Sequence, residues 1–493
     1  MILHYLSPRH NFCDGSAPKA PLPGPPAEEA ERQPVTLWRK SIGQILIGMV
    51  LCSVTLNFWY LSELLPAIGL ILLLLGFRAL RRENRWFSVC WIIAAVRTAL
   101  FFSLLALGGS IIQAAGLAEH LLSHLALLNL ILLLLQYGCF VGGMKALQFK
   151  AGAAVPNGGA AGLFIWALAM VFFSILPLEG TPRILLTLSM AVIFLLIIRT
   201  LFQASKKIDE TGYEVDPAPV KLQNRALCAL ILAAFTAALA CCYLFLSRYP
   251  MRWVVAEPTE PATAPIRENL LALGFPEIVL RDLSAEDLQA CNGAVEVFYT
   301  MEDFPVNNGR TIREENGNQT VITRVFDEKE LRLTSVAVRL LGEQEYWKIF
   351  HHFLWIKNPG FYGTEAIMLQ PADLCEGWPS PADAAAGGRV LYNEGGTVYT
   401  APYFELGTDA QFPGSLFAAF SMPEKGTRHR GYLSYHVRDM ESAVYLYSGF
   451  RYTHQKSRLQ YPAITAMDHQ KSDTWSNHVF HTADEEFTFR RGI

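Results

Sequence analysis

Seven long apolar runs constrain this chain before anything else does. A helix needs about 20 mostly apolar residues to cross the hydrocarbon core of a bilayer. Runs of that kind occupy 42–61, 64–80, 87–112, 120–144, 162–178, 183–203 and 225–246. The second and fifth are the shortest, near the lower limit for spanning, and their close neighbours suit them to hairpins better than to re-entrant loops. The expected fold class is an α-helical membrane bundle of about seven transmembrane helices over 39–250, with six or eight crossings as the alternatives. The rest is placed around it: a disordered tail (1–38), a Pro-rich linker (251–265), a short helical segment (266–292) and a soluble, mainly antiparallel β domain (293–493).

Orientation follows from Lys and Arg in the short loops, which are retained on the cytoplasmic side. Arg32, Arg39 and Lys40 precede the first run. Arg78, Arg81, Arg82 and Arg85 surround the turn after the second, Lys145 and Lys150 follow the fourth, and Arg199, Lys206, Lys207, Lys221 and Arg225 surround the loop after the sixth. The intervening loops are poor in positive charge. This alternation puts the N-terminus in the cytoplasm and, with seven crossings, the C-terminal domain outside the cell. Arg248 and Arg252 oppose it locally.

The two halves differ in charge. Residues 1–255 carry 20 Lys and Arg against 12 Asp and Glu, and residues 256–493 carry 21 against 32. An acidic soluble half argues against nucleic acid as a partner, because phosphate contacts need clustered Lys and Arg. Of nine cysteines, six fall in the apolar runs, where cysteine acts as a small apolar residue. Cys13 is in the tail. Cys291 and Cys375 could form one disulfide outside the cell or remain two free thiols. No CxxC pair occurs, so no zinc or redox site is signalled.

Arg97 lies near the middle of the third run, at the depth of Asn129 in the fourth. His124 is closer to the outer surface. An ionisable group at that depth is costly and faces the bundle interior or water. Arg97 is either an anion contact in a polar path or an anchor locked to Asn129 and backbone carbonyls. A transporter would ordinarily carry several intramembrane carboxylates or matched broken helices, and neither is present. No phosphate-binding loop of the G-x-x-x-x-G-K-[ST] type occurs, and the longest cytoplasmic loop, 204–224, is too short for a nucleotide-binding domain.

After the linker, Leu273-Gly274-Phe275-Pro276-Glu277 and Asp282-Leu283-Ser284-Ala285-Glu286-Asp287-Leu288 mark two or three short helices. Ser284 to Asp287 has the form of a capping box. Leu270, Leu273, Phe275, Ile278, Val279, Leu283 and Leu288 are expected to share a small core. In these two stretches the chain resembles uncharacterised multi-pass membrane proteins of anaerobic Gram-positive bacteria, a likeness that carries no function. The expected location is the plasma membrane of a bacterium.

From Gly293 the pattern turns to short strands rich in Val, Tyr, Phe and Trp: 294–300, 319–326, 331–341, 346–356, 388–392, 397–404, 415–420, 431–438, 443–452 and 487–490. Hairpin turns are expected at Asn316-Gly317 and at Glu394-Gly395-Gly396. Many strands without intervening helices point to a sandwich-like fold. Tyr432, Tyr435, Tyr445, Tyr447 and Tyr452 alternate with polar residues and are the candidate ligand or partner surface. Asp468-His469 and His478-x-x-His481 offer metal-ligand residue types, but the zincin H-E-x-x-H is absent and solvated histidines are the default, so no metal is assigned. No G-x-S-x-G elbow occurs. Neither a cofactor nor a catalytic residue is implied. The leading expectation is a non-enzymatic protein presenting an extracellular binding or sensing domain and acting through an unknown membrane or envelope partner. A permease using Arg97 and a cell-envelope enzyme are the alternatives.

Overall fold

A computed structural model describes residues 36–53, 58, 60–114, 119–152, 158–177, 179–219, 221–257, 261–307, 309–316, 319–326, 328–341, 346–370, 386–438, 445–458, 460–472 and 478–490. The tail to residue 35, the turn residue Gly317, Asn318 and Cys375 lie outside the described residues.

The apolar runs form helices α1 (Leu37–Ser53), α2 (Leu61–Leu80), α3 (Arg85–Leu107), α5 (Glu119–Lys150), α6 (Gly158–Ile175), α7 (Thr181–Glu210) and α8 (Asn224–Phe245), with a single turn, α4 (Ile111–Ala114), after α3. Six of these, α2, α3 and α5 to α8, are long and apolar enough to cross a membrane. The first expected span is not among them. Its described part, Leu37–Ser53, has 17 residues, and residues 54–57 of the same apolar run lie outside the described residues. The helix begins five residues earlier than the apolar run, where the buried Trp38 indole donates to the Ser205 carbonyl (3.1 Å) and draws Arg39 and Lys40 into the first turns.

Small residues let α1 and α2 approach closely. A Cβ on Gly48 would stand 2.7 Å from the Gly69 carbonyl oxygen, and one on Gly69 would stand 2.8 Å from that of Gly48. Between apolar helices such close backbone packing takes the place of a hydrophobic driving force. At one end of the bundle Thr36 donates to Asp209, Arg78 to Asn224 (3.2 Å) and Lys150 to the buried Glu83 (3.0 Å). The starts of α1, α3 and α8 and the ends of α2, α5 and α7 therefore share that end.

The other end carries the soluble domain. The Tyr60 hydroxyl donates to the Tyr461 carbonyl (3.0 Å) and the Tyr461 hydroxyl to the Leu105 carbonyl (3.0 Å). The Ala463 amide donates to Gly108 (2.8 Å), and the Tyr243 hydroxyl reaches the Gln460 carbonyl. Ile111 packs into a cluster with Tyr249, Met368, Phe417, Met467 and Phe480. The domain is seated on the bundle. The stretch read as a linker contributes β1 (Val254–Val255) to a sheet.

Three short helices follow: α9 (Ala264–Ala272), α10 (Glu277–Leu280) and α11 (Ala285–Gln289). The strands are β2 (Ala294–Phe304), β3 (Arg310–Asn316), β4 (Gln319–Val325), β5 (Leu331–Leu340), β6 (Tyr346–Trp355), β7 (Glu365–Gln370), β8 (Gly387–Glu394), β9 (Thr397–Ala401), β10 (Glu405–Asp409), β11 (Phe412–Phe420), β12 (Thr427–Arg438), β13 (Tyr445–Gln455) and β14 (Phe480–Arg490), with α12 (Ala466–Lys471) before the last. They build an antiparallel seven-stranded sheet, β1-β9-β8-β12-β6-β5-β2, a five-stranded sheet, β10-β11-β7-β13-β14, and the separate hairpin β3-β4. Gly395 and Gly396 turn β8 into β9 with φ of 57° and 83°, the positive pair a two-residue type I′ turn requires.

One apolar cluster draws on both large sheets: Leu333, Trp347, Phe353 and Leu433 from the first, and Ile367, Phe420, Phe450 and Phe487 from the second. The first sheet's other face is covered by the short helices through Leu270, Phe275, Val279, Leu283 and Leu288, with Leu273 and Ile278 at the margin. Its central strands are thus buried on both sides.

The glycine contact gives a direct test. Gly69→Val should separate α1 from α2 and sharply lower the yield of monodisperse protein in detergent by size-exclusion chromatography. Gly43→Ala should leave the yield unchanged, because a Cβ there meets nothing within 4 Å.

Candidate functional site

The short helices are fastened to the sheet by two buried aspartates. Asp282, just after α10, meets Arg430 Nε through Oδ1 (2.8 Å) and His352 Nε2 through Oδ2 (2.9 Å). Arg430 also donates to Asn393 Oδ1 (2.8 Å). Burial pushes the Asp282 carboxyl up, but His352 and Arg430 outweigh it and hold it below the usual carboxylate range. Asp287, in α11, accepts from Lys348 (2.8 Å), the Tyr432 hydroxyl (2.6 Å) and the Ser434 hydroxyl (2.8 Å). Burial again raises this carboxyl, and Lys348 with its hydroxyl neighbours more than reverses the effect.

Only half of the expected capping box forms. Ser284 Oγ accepts the Asp287 amide (3.1 Å), but the Ser284 amide turns to the Tyr432 hydroxyl (2.9 Å), since the Asp287 carboxylate is drawn to Lys348. A complete box occurs instead at Thr465 and Asp468, at the start of α12.

Beside Asp282 opens a cleft of about 640 Å³ between the short helices and the β1-β9-β8 end of the sheet. Arg281, Arg389, Arg428 and Arg430 line it, against the carboxylates of Asp282 and Glu257. Arg430 is committed to Asp282, and Arg281 pairs with Glu277. The Arg389 guanidinium rests on backbone carbonyls of Asp282 and Leu283 (2.9–3.1 Å). Arg428 is exposed and has φ of 54°, where the β12 pairing with β8 slips between Thr427 and Arg430. A non-glycine residue in the left-handed region carries strain of order 1–3 kcal/mol. This bulge places Arg428 at the wall of the cleft. The arrangement suits an anion.

A second polar set lies between the two sheets. The Tyr435 hydroxyl meets Ser448 Oγ (2.6 Å), Ser448 meets His351 Nε2 (2.7 Å), His351 Nδ1 meets Ser335 Oγ (2.7 Å), and Ser335 donates to Glu485 Oε2 (2.6 Å). The residue types evoke a Ser-His-Glu hydrolase. The order does not, because Ser335 stands between the base and the carboxylate, whereas in a triad the carboxylate orients the base. All five side chains are buried. Burial drives the His351 pKa down to about 3 and raises Glu485 to about 7. The set is a closed core network.

In the bundle, the buried Arg97 donates Nε–H to Asn129 Oδ1 (3.1 Å) and Nη1–H to Gln136 Oε1 (2.6 Å). His124 stays apart, exposed, with Nδ1 on the His120 carbonyl. It precedes Asn129 by five residues, about 140° around the helix. Sequence reasoning missed Gln136, although its spacing of seven from Asn129 puts both on one helix face.

The tyrosines are not an exposed strip. Tyr432, Tyr435 and Tyr452 are each 1% exposed. β12 runs inside the first sheet with Tyr432 under the short helices and Tyr435 between the sheets. Tyr452 accepts from the Trp355 indole (3.1 Å). Tyr447 is half-buried. Tyr445 lies in β13, and its side chain is outside those described. Cys291 is a buried free thiol, pushed up to about 12 by burial. Among the described residues no group of three or more His, Cys, Asp or Glu could hold a metal. His469 stacks on Phe480, and His481 sits opposite His454 across β13 and β14.

No protein-family model and no curated protein matches the chain.

Glu485 makes stability pH-dependent in a defined direction. A carboxyl raised from 4.5 to about 7 favours the folded state below pH 4.5 and loses that advantage as pH rises through 7. Glu485→Gln should therefore gain stability relative to wild type by up to about 3 kcal/mol between pH 4.5 and 8, read as the difference between the two thermal unfolding curves in detergent.

Proposed function

We propose that this chain is a non-enzymatic, seven-crossing protein of a bacterial plasma membrane. It presents a sandwich-like β domain outside the cell, whose arginine-lined cleft captures a small anionic ligand. The observation that carries this reading is the cleft: four arginines converge on it, and the Arg389 and Arg428 guanidiniums face it from carbonyl-bound or exposed positions. Seven crossings are supported by α1 starting at the end of the bundle where Asp209 and Asn224 lie, with the β domain at the opposite end. The orientation rests on the basic loops, which gather at the end away from the domain.

A binding role fits better than catalysis. Both Asp282 oxygens are occupied, and the His351 network is enclosed. The seating of Tyr461 and Ala463 on α2 and α3 supplies a rigid route from the domain to the helices. Through it a ligand-dependent change would reach a membrane partner. The Arg97 donors taken up by Asn129 and Gln136 weigh towards an anchor over a permeation path.

The reading is tested by thermal unfolding of the full chain in detergent with phosphate, sulfate and small di- and tricarboxylates. At least one anion should raise the midpoint by several degrees. Arg428→Gly should raise stability without ligand by about 1 kcal/mol, by relieving the left-handed backbone, and should lose most of the anion-induced shift. No shift with any of these anions, or an undiminished shift in Arg428→Gly, would contradict the proposal.

A further inference from the structure

At the end of the bundle away from the β domain, an open cavity of about 540 Å³ lies between α2, α3, the start of α8 and the chain just before it. Its wall within the helices is apolar, made by Leu74, Trp91, Ala95 and Leu227, and its rim carries Arg78, Arg81, Arg82 and Lys221. Among the described residues no carboxylate lines it. Arg78 is nearly buried and donates to Asn224 Oδ1 (3.2 Å) and to the Leu222 carbonyl. Arg81 donates to the Pro219 carbonyl, and its guanidinium lies over the Trp91 ring, 5.1 Å from the centroid. These partners are neutral, so they fix the guanidiniums without cancelling their charge. Arg82 and Lys221 are exposed at the mouth. The nearby carboxylate of Glu83 is engaged by Lys150 and Tyr213.

We infer that this cavity is a binding site for an anionic phospholipid. Its phosphate sits among Arg81, Arg82 and Lys221, and an acyl chain runs along Leu74, Ala95 and Leu227. Two features select a lipid over a free anion. The cationic rim lies at the termini of membrane-competent helices, where a headgroup lies. The space behind it is greasy, which a hydrated phosphate ion cannot use but a hydrocarbon chain can. Basic pockets between spanning helices on the cytoplasmic side recognise such headgroups through their charge. The aromatic face of Trp91 holds Arg81 at the boundary between the two zones. The occupant also bridges α2 and α8, whose ends are otherwise tied through Arg78.

The test uses the full chain purified in a neutral detergent, with lipid retention read by native mass spectrometry and stability by thermal unfolding. Phosphatidylglycerol should be retained at least tenfold more than phosphatidylcholine and should raise the unfolding midpoint. Inorganic phosphate at the same concentration should do neither. The double variant Arg82→Gln and Lys221→Gln alters only exposed side chains, and should bring the two lipids close to parity while keeping the lipid-free midpoint. Equal retention of the two lipids by wild type would overturn the inference, as would unchanged selectivity in the double variant. A midpoint rise reproduced in full by inorganic phosphate would reassign the site to a free anion.

Discussion

Two buried carboxylates hold the soluble domain in its working shape. Asp282 and Asp287 project from the short helices into the outer face of the seven-stranded sheet, where His352, Arg430, Lys348, Tyr432 and Ser434 receive them. A buried charge left without its partner costs on the order of 3–5 kcal/mol, so such a clasp is strongly position-specific even where its net contribution is small. It spans strands β6 and β12 and brings the Asp282 and Leu283 carbonyls to Arg389 on β8. The cleft follows from this geometry: the helices are held against the sheet at one side, and the face of the β1-β9-β8 end beyond them stays open. The apolar contacts of Phe275, Val279 and Leu288 supply the burial, and the aspartates fix where the helices sit.

The membrane part is governed by different physics. Lipid tails give no hydrophobic drive for helices to associate, so backbone proximity and polar contacts carry the packing. Gly48 against Gly69 illustrates the first, and Arg97 with Asn129 and Gln136 the second. The two halves meet where Tyr60 and Tyr461 exchange contacts and Ile111 enters the domain's apolar cluster. A domain joined to its bundle by directional hydrogen bonds as well as apolar packing can transmit a change in its own shape, which a domain on a loose stalk would not.

Much of this was legible in the residues, and the failures have physical causes. Apolar runs identify helices because hydrophobicity sums along a segment whatever its neighbours are. The seven regions are therefore helical where expected, with α1 described over Leu37–Ser53 and starting earlier than its apolar run because Trp38 is tied to Ser205. Most strands are legible where β-branched and aromatic residues cluster over several positions, whereas the two-residue β1 lies in a stretch read as linker and β3 is mostly Arg, Glu and Asn. β7, which carries Ala366 and Met368, and β10, with Glu405 and Gly407, lack that signal. The tyrosine strip was misjudged because alternating polar and aromatic residues normally mean one wet face. In β12 both faces are covered, and Arg430 and Ser434 are buried with partners 148 and 147 positions earlier in the chain. No local pattern encodes such a pairing. One hint was available: Lys348 interrupts an otherwise apolar and aromatic strand, and a lysine there requires a buried counter-charge.

The claim on which this account rests is that the β domain and the basic loops occupy opposite sides of the membrane. The most direct measurement fuses reporters after Ile493, one active only outside the cytoplasm and one fluorescent only within it. The account predicts that the first is active and the second dark. The reverse result would place the cleft in the cytoplasm and contradict the account.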